Sequence, residues 1–163
     1  MEQFKATLGR SAALITVFVT ILFGVIIFSL FTRVHAGPEK YAITILLITI
    51  YFFVYAFHPT GYEISTDELI IRRLLFSVHI PRKNLVTAAG IAGNKASWSL
   101  RMIGVGGLFG YFGLFANLQL GTMTWYATRR NGLILLKTVR DEKIILTPDD
   151  TKKFLTALHL PTE

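Results

Sequence analysis

The hydrophobic positions fall into two regimes. From Ala12 to Phe31 the chain reads AALITVFVTILFGVIIFSLF, an apolar run with no charge. Twenty residues of helix at about 1.5 Å each span roughly 30 Å, the thickness of a bilayer's hydrocarbon core. A second run, YAITILLITIYFFVYAF (Tyr41–Phe57), is at the short end of the spanning range, with Tyr and Phe gathered towards its ends. The connecting TRVHAGPEK contains Gly37-Pro38, a turn signal, so the two runs predict a tight antiparallel helical hairpin. A secretory signal peptide, with Val34-His35-Ala36 as its cleavage site, is the competing reading of the first run. That apolar core is longer than a signal's, and a second run follows at once.

After His58-Pro59 the pattern breaks into short alternating pieces. YEIST (62–66), LIIRRLLF (69–76), SVHIP (77–81), residues 84–89, WSLRMI (98–103), TMTWYAT (122–128), LILLKT (133–138) and KIILT (143–147) read as strands. Asp67-Glu68, Asn131-Gly132 and Arg140–Glu142 read as turns, the Asn-Gly pair as a hairpin. A final helix is expected with Thr147 as N-cap, Pro148 as its first residue, Asp149-Asp150 in its first turn and Pro161 beyond its end.

RMIGVGGLFGYFGLFANLQLG (101–121) is apolar enough to be a third span. The GxxxG of Gly106 and Gly110 favours a packed membrane helix. Against that, each glycine costs a helix about 1 kcal/mol relative to alanine. A span here would also strand the β-segments on opposite sides of the lipid with open edges. A glycine-rich loop within one folded domain is the preferred expectation.

Composition sharpens this picture. The hydrophobic share is 52% and the mean hydropathy +0.51, concentrated in the two runs. There is no cysteine, which removes disulfides, thiolate metal sites and cysteine nucleophiles. The net charge is +7: residues 1–58 hold four Lys/Arg against two acids, and residues 59–163 hold thirteen against eight. The basic residues come as scattered pairs instead of a stripe, so nucleic acid is not expected as a partner, whereas anionic membrane lipids are. Lys5 and Arg10 outside the hairpin, joined a little further along by Arg72, Arg73, Arg82 and Lys83, against only Arg33 and Lys40 within its loop, predict both termini on the cytoplasmic face of the inner membrane by a thin margin. The expected division is a cytoplasmic tail (1–11), a two-helix transmembrane hairpin (12–57) and a β-domain (58–163).

The segments YEISTDELIIRR…VHIP, GGLFGYFGLF…LG, YAT, LILLKT and IILTPDDTKKF resemble the bacterial pleckstrin-homology-like (PH-like) family from Tyr62 to about Leu158. The resemblance implies a mainly-β sandwich or barrel closed by a C-terminal α-helix, and no assigned reaction. The inositide site of eukaryotic relatives needs basic residues in a long first loop. Here Ser65-Thr66-Asp67-Glu68 is short and acidic, so no specific phosphoinositide is expected.

No catalytic or metal-ligating constellation stands out, and no cofactor is expected. The four histidines (35, 58, 79, 159) lack ligand spacing, and Gly104, Gly106 and Gly107 lack the lysine of a phosphate loop. The candidate contacts with membrane or partner are Phe109, Tyr111, Phe112 and Phe115, with the pairs Arg72-Arg73 and Arg129-Arg130. As a core filling and a solvated face, respectively, they would need no function. The expectation is a non-enzymatic, membrane-anchored binding or scaffolding module, with other membrane proteins as partners. The alternative is an accessory subunit of a transporter or lipid-handling complex, its Gly/aromatic loop at the bilayer interface.

Overall fold

The computed structural model describes residues 1–32, 37–91 and 99–161. The cleavage motif at 34–36 and the Trp98 end of an expected strand lie outside them. Two helices, α1 (Arg10–Thr32) and α2 (Glu39–Phe57), form where the apolar runs stand. Both are long and apolar enough to cross a membrane by length and composition, and almost none of their apolar stretches is buried within the protein. Thr20 Oγ1 and Tyr51 Oη, 2.7 Å apart, tie the helices together along their length.

The tail expected at residues 1–11 is instead part of the domain. Strand β1 (Glu2–Lys5) precedes α1 and pairs antiparallel with β2 (Pro59–Ile64), which follows α2. The chain therefore leaves the sheet, runs through both helices and returns to the strand it left. Two further strands, β3 (Glu68–Arg73) and β4 (Val78–Pro81), complete a four-stranded sheet in the order β1-β2-β3-β4. The strand expected to run to Phe76 thus ends at Arg73. A single 3-10 turn (Arg82–Asn84) leads to the second sheet.

That sheet holds β5 (Leu85–Ile91), β6 (Leu100–Gly107), β7 (Gly110–Asn117), β8 (Gly121–Ala127), β9 (Leu133–Thr138) and β10 (Lys143–Leu146), in the order β5-β9-β10-β8-β7-β6. The glycine-rich stretch is neither a helix nor a loop: it is the β6–β7 hairpin. Its glycines mirror one another about the turn, with Gly104 opposite Gly113 and Gly107 opposite Gly110. All four have φ between +121° and +130°, a region closed to most side chains. A Cβ on Gly104 would lie 2.3 Å from the Phe112 carbonyl oxygen, and one on Gly113 would lie 2.4 Å from that of Ile103. The strands can approach and coil only because both positions lack a side chain.

Asn131-Gly132 does not close a hairpin between neighbours. Strand β10 inserts between β8 and β9, parallel to the former and antiparallel to the latter. Gly132, at φ 61°, turns the chain where it passes Thr151. The last helix, α3 (Thr151–Leu158), starts later than expected. Asp150 is its N-cap, accepting the Lys153 N–H at 3.0 Å, because the residues before it are occupied elsewhere. The Asp149 N–H donates to the Lys5 carbonyl at 2.9 Å.

The alternation of β9 explains two cores. Ile134 and Leu136 face the small sheet, meeting Tyr62, Leu69, Ile71 and Ile80 under Phe154 and Leu158 of α3. Leu133 and Leu135 point to the opposite face, into a cluster with Tyr111, Phe115, Met123, Trp125 and Ile145 that also takes in Ala12 of α1. A strand buried on both faces reads as LILL without polar interruption.

Candidate functional site

The union of helices and domain is built from short-range polar chemistry. Residues 6–9 link β1 to α1 and are bonded to the domain at Thr7 and Gly9. Asp149 accepts from the Thr7 N–H at 3.0 Å and from the Thr7 hydroxyl. Arg129 donates to Asp149 at 2.5 Å and to the Pro148 carbonyl at 2.5 Å. The Thr128 hydroxyl donates to the Thr7 carbonyl at 2.8 Å, and the Gly9 N–H to the Thr128 carbonyl at 3.0 Å. Burial alone would raise the Asp149 pKa, but the hydrogen bonds from Thr7 and the Arg129 charge outweigh it and leave it lowered. Helix α1 is thereby held to the start of α3 through one carboxylate.

A second joint is the β6–β7 turn. Phe109, at φ 56°, packs its ring against Tyr51 and Tyr55 of α2, each at 5.2 Å, and against His58 at 5.6 Å. Its N–H donates to Thr16 Oγ1 of α1 at 2.9 Å. It thereby closes one end of an apolar cavity of about 590 Å³ between the helices, lined also by Phe23, Gly24, Leu47 and Phe52.

The other aromatic candidates do not face outward. Tyr111 and Phe115 are buried against Trp125, and Phe112 is buried in the same strand. Alternation along β7 puts Tyr111 and Phe115 on the face that packs against Trp125, and Phe112 on the opposite face, beside Tyr126 of β8. The arginine pairs are likewise engaged. Arg72 ion-pairs with buried Glu63, and Arg129 with Asp149. Arg73 lies over the Tyr126 ring at 4.7 Å, and Arg130 over Tyr111 at 4.8 Å. Their first task is to stabilise the domain, and only Arg72 and Arg130 keep substantial exposure.

A concavity of about 930 Å³ lies where the residue pattern showed no sign of one. It opens between β4 and the ends of β8 and β10, lined by Val78, His79, Thr124, Tyr126, Arg140 and Lys143 among others. The six-stranded sheet reaches further than the four-stranded one, so the inner side of β8 and β7 is left uncovered beside β4. Among the described residues that strand pairs with β3 alone, and its outer edge borders the groove. An open edge beside a polar-rimmed groove is suited to an extended peptide that adds as a strand. His79 meets Glu68 at 3.0 Å on the rim, and Lys143 donates to the Leu120 carbonyl at 2.7 Å. No three His, Asp or Glu residues converge in a metal-holding arrangement among the described residues.

Residues 60–160 match the family model of a bacterial PH domain. No curated protein and no solved structure matches the chain.

Proposed function

Because the chain belongs to the bacterial PH domain family, we propose that it is a membrane-anchored binding module. Its α1–α2 hairpin spans the inner membrane, and its β-domain is presented at the cytoplasmic face. PH-like domains are generally non-catalytic binding modules, and no enzyme family is indicated. The pairing of β1 with β2 across the helices supports the reading best. Strands that flank a membrane hairpin can hydrogen-bond only if both lie on one side of it. The helices' side chains agree: Phe18 and Phe28 are 66% and 70% exposed in the isolated chain. At about 25 cal/mol per Å², leaving two such helical surfaces in water would cost far more than a domain's net stability.

The groove beside β4 is the proposed recognition surface, and its partner is an extended segment of another membrane protein. Main-chain pairing would supply affinity, and the lining offers partners of both signs, Lys83, Arg140 and Lys143 beside Asp141 and Glu142. Anionic lipids are a second, weaker partner of the basic domain. The alternative role, in a transporter or lipid-handling complex, draws support from Phe109, whose turn sits among the helices instead of in the domain.

The test is fractionation of the full-length chain with an alkaline wash, combined with C-terminal fusions. Retention in the washed membrane, a fluorescent C-terminal reporter and an inactive C-terminal phosphatase are expected. Release by the wash, or an active phosphatase, would overturn the anchor or its orientation, respectively.

A further inference from the structure

Among the apolar residues that lie outside both cores, those of the β3–β4 loop stand beside the end of α2, whereas Leu100, Met102, Ile103 and Leu118 lie on β6 and just beyond β7. Between β3 and β4 the chain reads Leu74-Leu75-Phe76-Ser77, and Leu74 and Phe76 are 56% and 77% exposed. Phe76 also holds φ 54°, a conformation uncommon for a bulky side chain. Two contacts fix where this loop sits. The Leu75 N–H donates to the Ala56 carbonyl, in the last turn of α2, at 3.0 Å. The Phe76 ring stacks on Phe57 at 6.2 Å, and Phe57 stacks in turn on Phe53 at 6.2 Å. The exposed ring of Phe76 thus continues an aromatic row that begins on the outer face of the helix.

We infer that the β3–β4 loop enters the bilayer interface, with Leu74 and Phe76 among the lipid headgroups and upper acyl chains. The occupant of this apolar surface is therefore the membrane itself. The inference rests on the spanning hairpin proposed above. Three observations carry it. The loop is bonded to the end of α2, the level at which that helix leaves the hydrocarbon. Aromatic side chains are favoured at that depth. Charge along β3 also has the matching sense: Asp67 and Glu68 lie at the end away from the helices, and Arg72 and Arg73 at the near end. Arg72 keeps 53% of its side chain exposed while paired with Glu63. An anionic surface attracts the near end and repels the far one.

The consequence is a fixed attitude of the domain. Contacts at the Thr7–Asp149 clasp, the Phe109 turn and the β3–β4 loop are three separate points, and three points define a plane. The groove beside β4 would then be held at a constant height over the lipid, one end adjoining the buried loop.

The chain has no cysteine, so Phe76→Cys, Phe28→Cys, Asp67→Cys and Leu118→Cys each give one spin-labelling position. The full-length protein is placed in vesicles of phosphatidylethanolamine and phosphatidylglycerol. Collisions with oxygen and with an aqueous nickel chelate then read the depth of each label. Oxygen should dominate at 28 and at 76, the latter nearer the surface, and nickel should dominate at 67 and 118. Leu118 matters as a control because it is an exposed apolar residue at the far end of β7. A lipid signal at 28 with an aqueous one at 76 overturns this inference and leaves the anchor standing. An aqueous signal at 28 overturns the anchor and the inference together. Equal depths at 76 and 118 would mean that the label seeks the lipid unaided, and would also overturn it. Leu74→Cys reads the same loop without touching the positive-φ residue.

Discussion

The glycines of the β6–β7 hairpin give a prediction whose sign depends on the fold. In Gly113→Ala, the added Cβ would sit 2.4 Å from the Ile103 carbonyl oxygen and 2.7 Å from the Gly104 Cα, at φ +121°. Holding alanine in such a conformation costs about 1–3 kcal/mol. Parting the strands to relieve the contact forfeits one or two backbone hydrogen bonds, each about 1 kcal/mol net. The sum is about 2–5 kcal/mol. For a domain near 100 residues, even the lower end lowers Tm by roughly 8–16 °C. Gly104→Ala should behave alike. Gly106→Ala should not, because its Cβ would meet only the Arg101 side chain at 3.6 Å and its backbone is ordinary. If the segment were a membrane helix, all three substitutions would instead favour it by about 1 kcal/mol. Thermal unfolding in detergent, followed by near-ultraviolet circular dichroism, decides between them. Equal or raised Tm values for all three variants would refute the hairpin argument.

Other predictions follow from the joints. Asp149 has a lowered pKa in the folded state, so its contribution is complete above the unfolded carboxylate value and is lost as pH falls through the folded one. Asp149→Asn should therefore lose stability near neutrality and flatten the acid limb of a pH–Tm profile. Tyr62 is opposite in sense. Burial pushes its hydroxyl up to about 12, although Thr147 bonds to it. Its contribution is complete below pH 10 and lost as the pH rises towards 12, so Tyr62→Phe should lessen alkaline destabilisation. Phe109→Ala removes three ring contacts and should weaken the joint between turn and helices by about 1–3 kcal/mol. Hydrogen exchange should quicken at residues 107–110 while the β8–β10 amides stay protected.

Much of this fold is legible in the order of residues, and the failures have physical causes. The helices announce themselves because twenty uncharged residues have few other uses. β1 does not, because EQFK is too short to show a period and its partner strand lies beyond both helices. The hairpin was visible in a different signal from hydropathy: glycines at 104, 107, 110 and 113 mirror the turn at 108–109. A helix has no reason for that symmetry. Asn131-Gly132 misleads because turn chemistry reports a reversal of direction, not which strands become neighbours. The insertion of β10 is decided by long-range packing of Ile144, Ile145 and Leu146.

The candidate site was less legible for the same reason. Aromatic residues 111, 112 and 115 fit an interface or a core equally well by composition, and only strand alternation with two-sided burial assigns them inward. The groove joins β4, β8 and β10, strands distant in sequence. Leu74 and Phe76 were hidden by being read as the end of a longer strand. The change at Phe76 to positive φ is what separates them from it.

The central claim is that a single domain forms on one side of the lipid from segments before and after both helices. Single cysteines at Glu2, Asp67 and Asp141, with a fourth at Lys40, can be challenged by a membrane-impermeant maleimide in intact and in permeabilised cells. The account predicts that positions 2, 67 and 141 share one accessibility and that position 40 shows the opposite one. Labelling that separates 67 from 141, or 2 from 67, would contradict it.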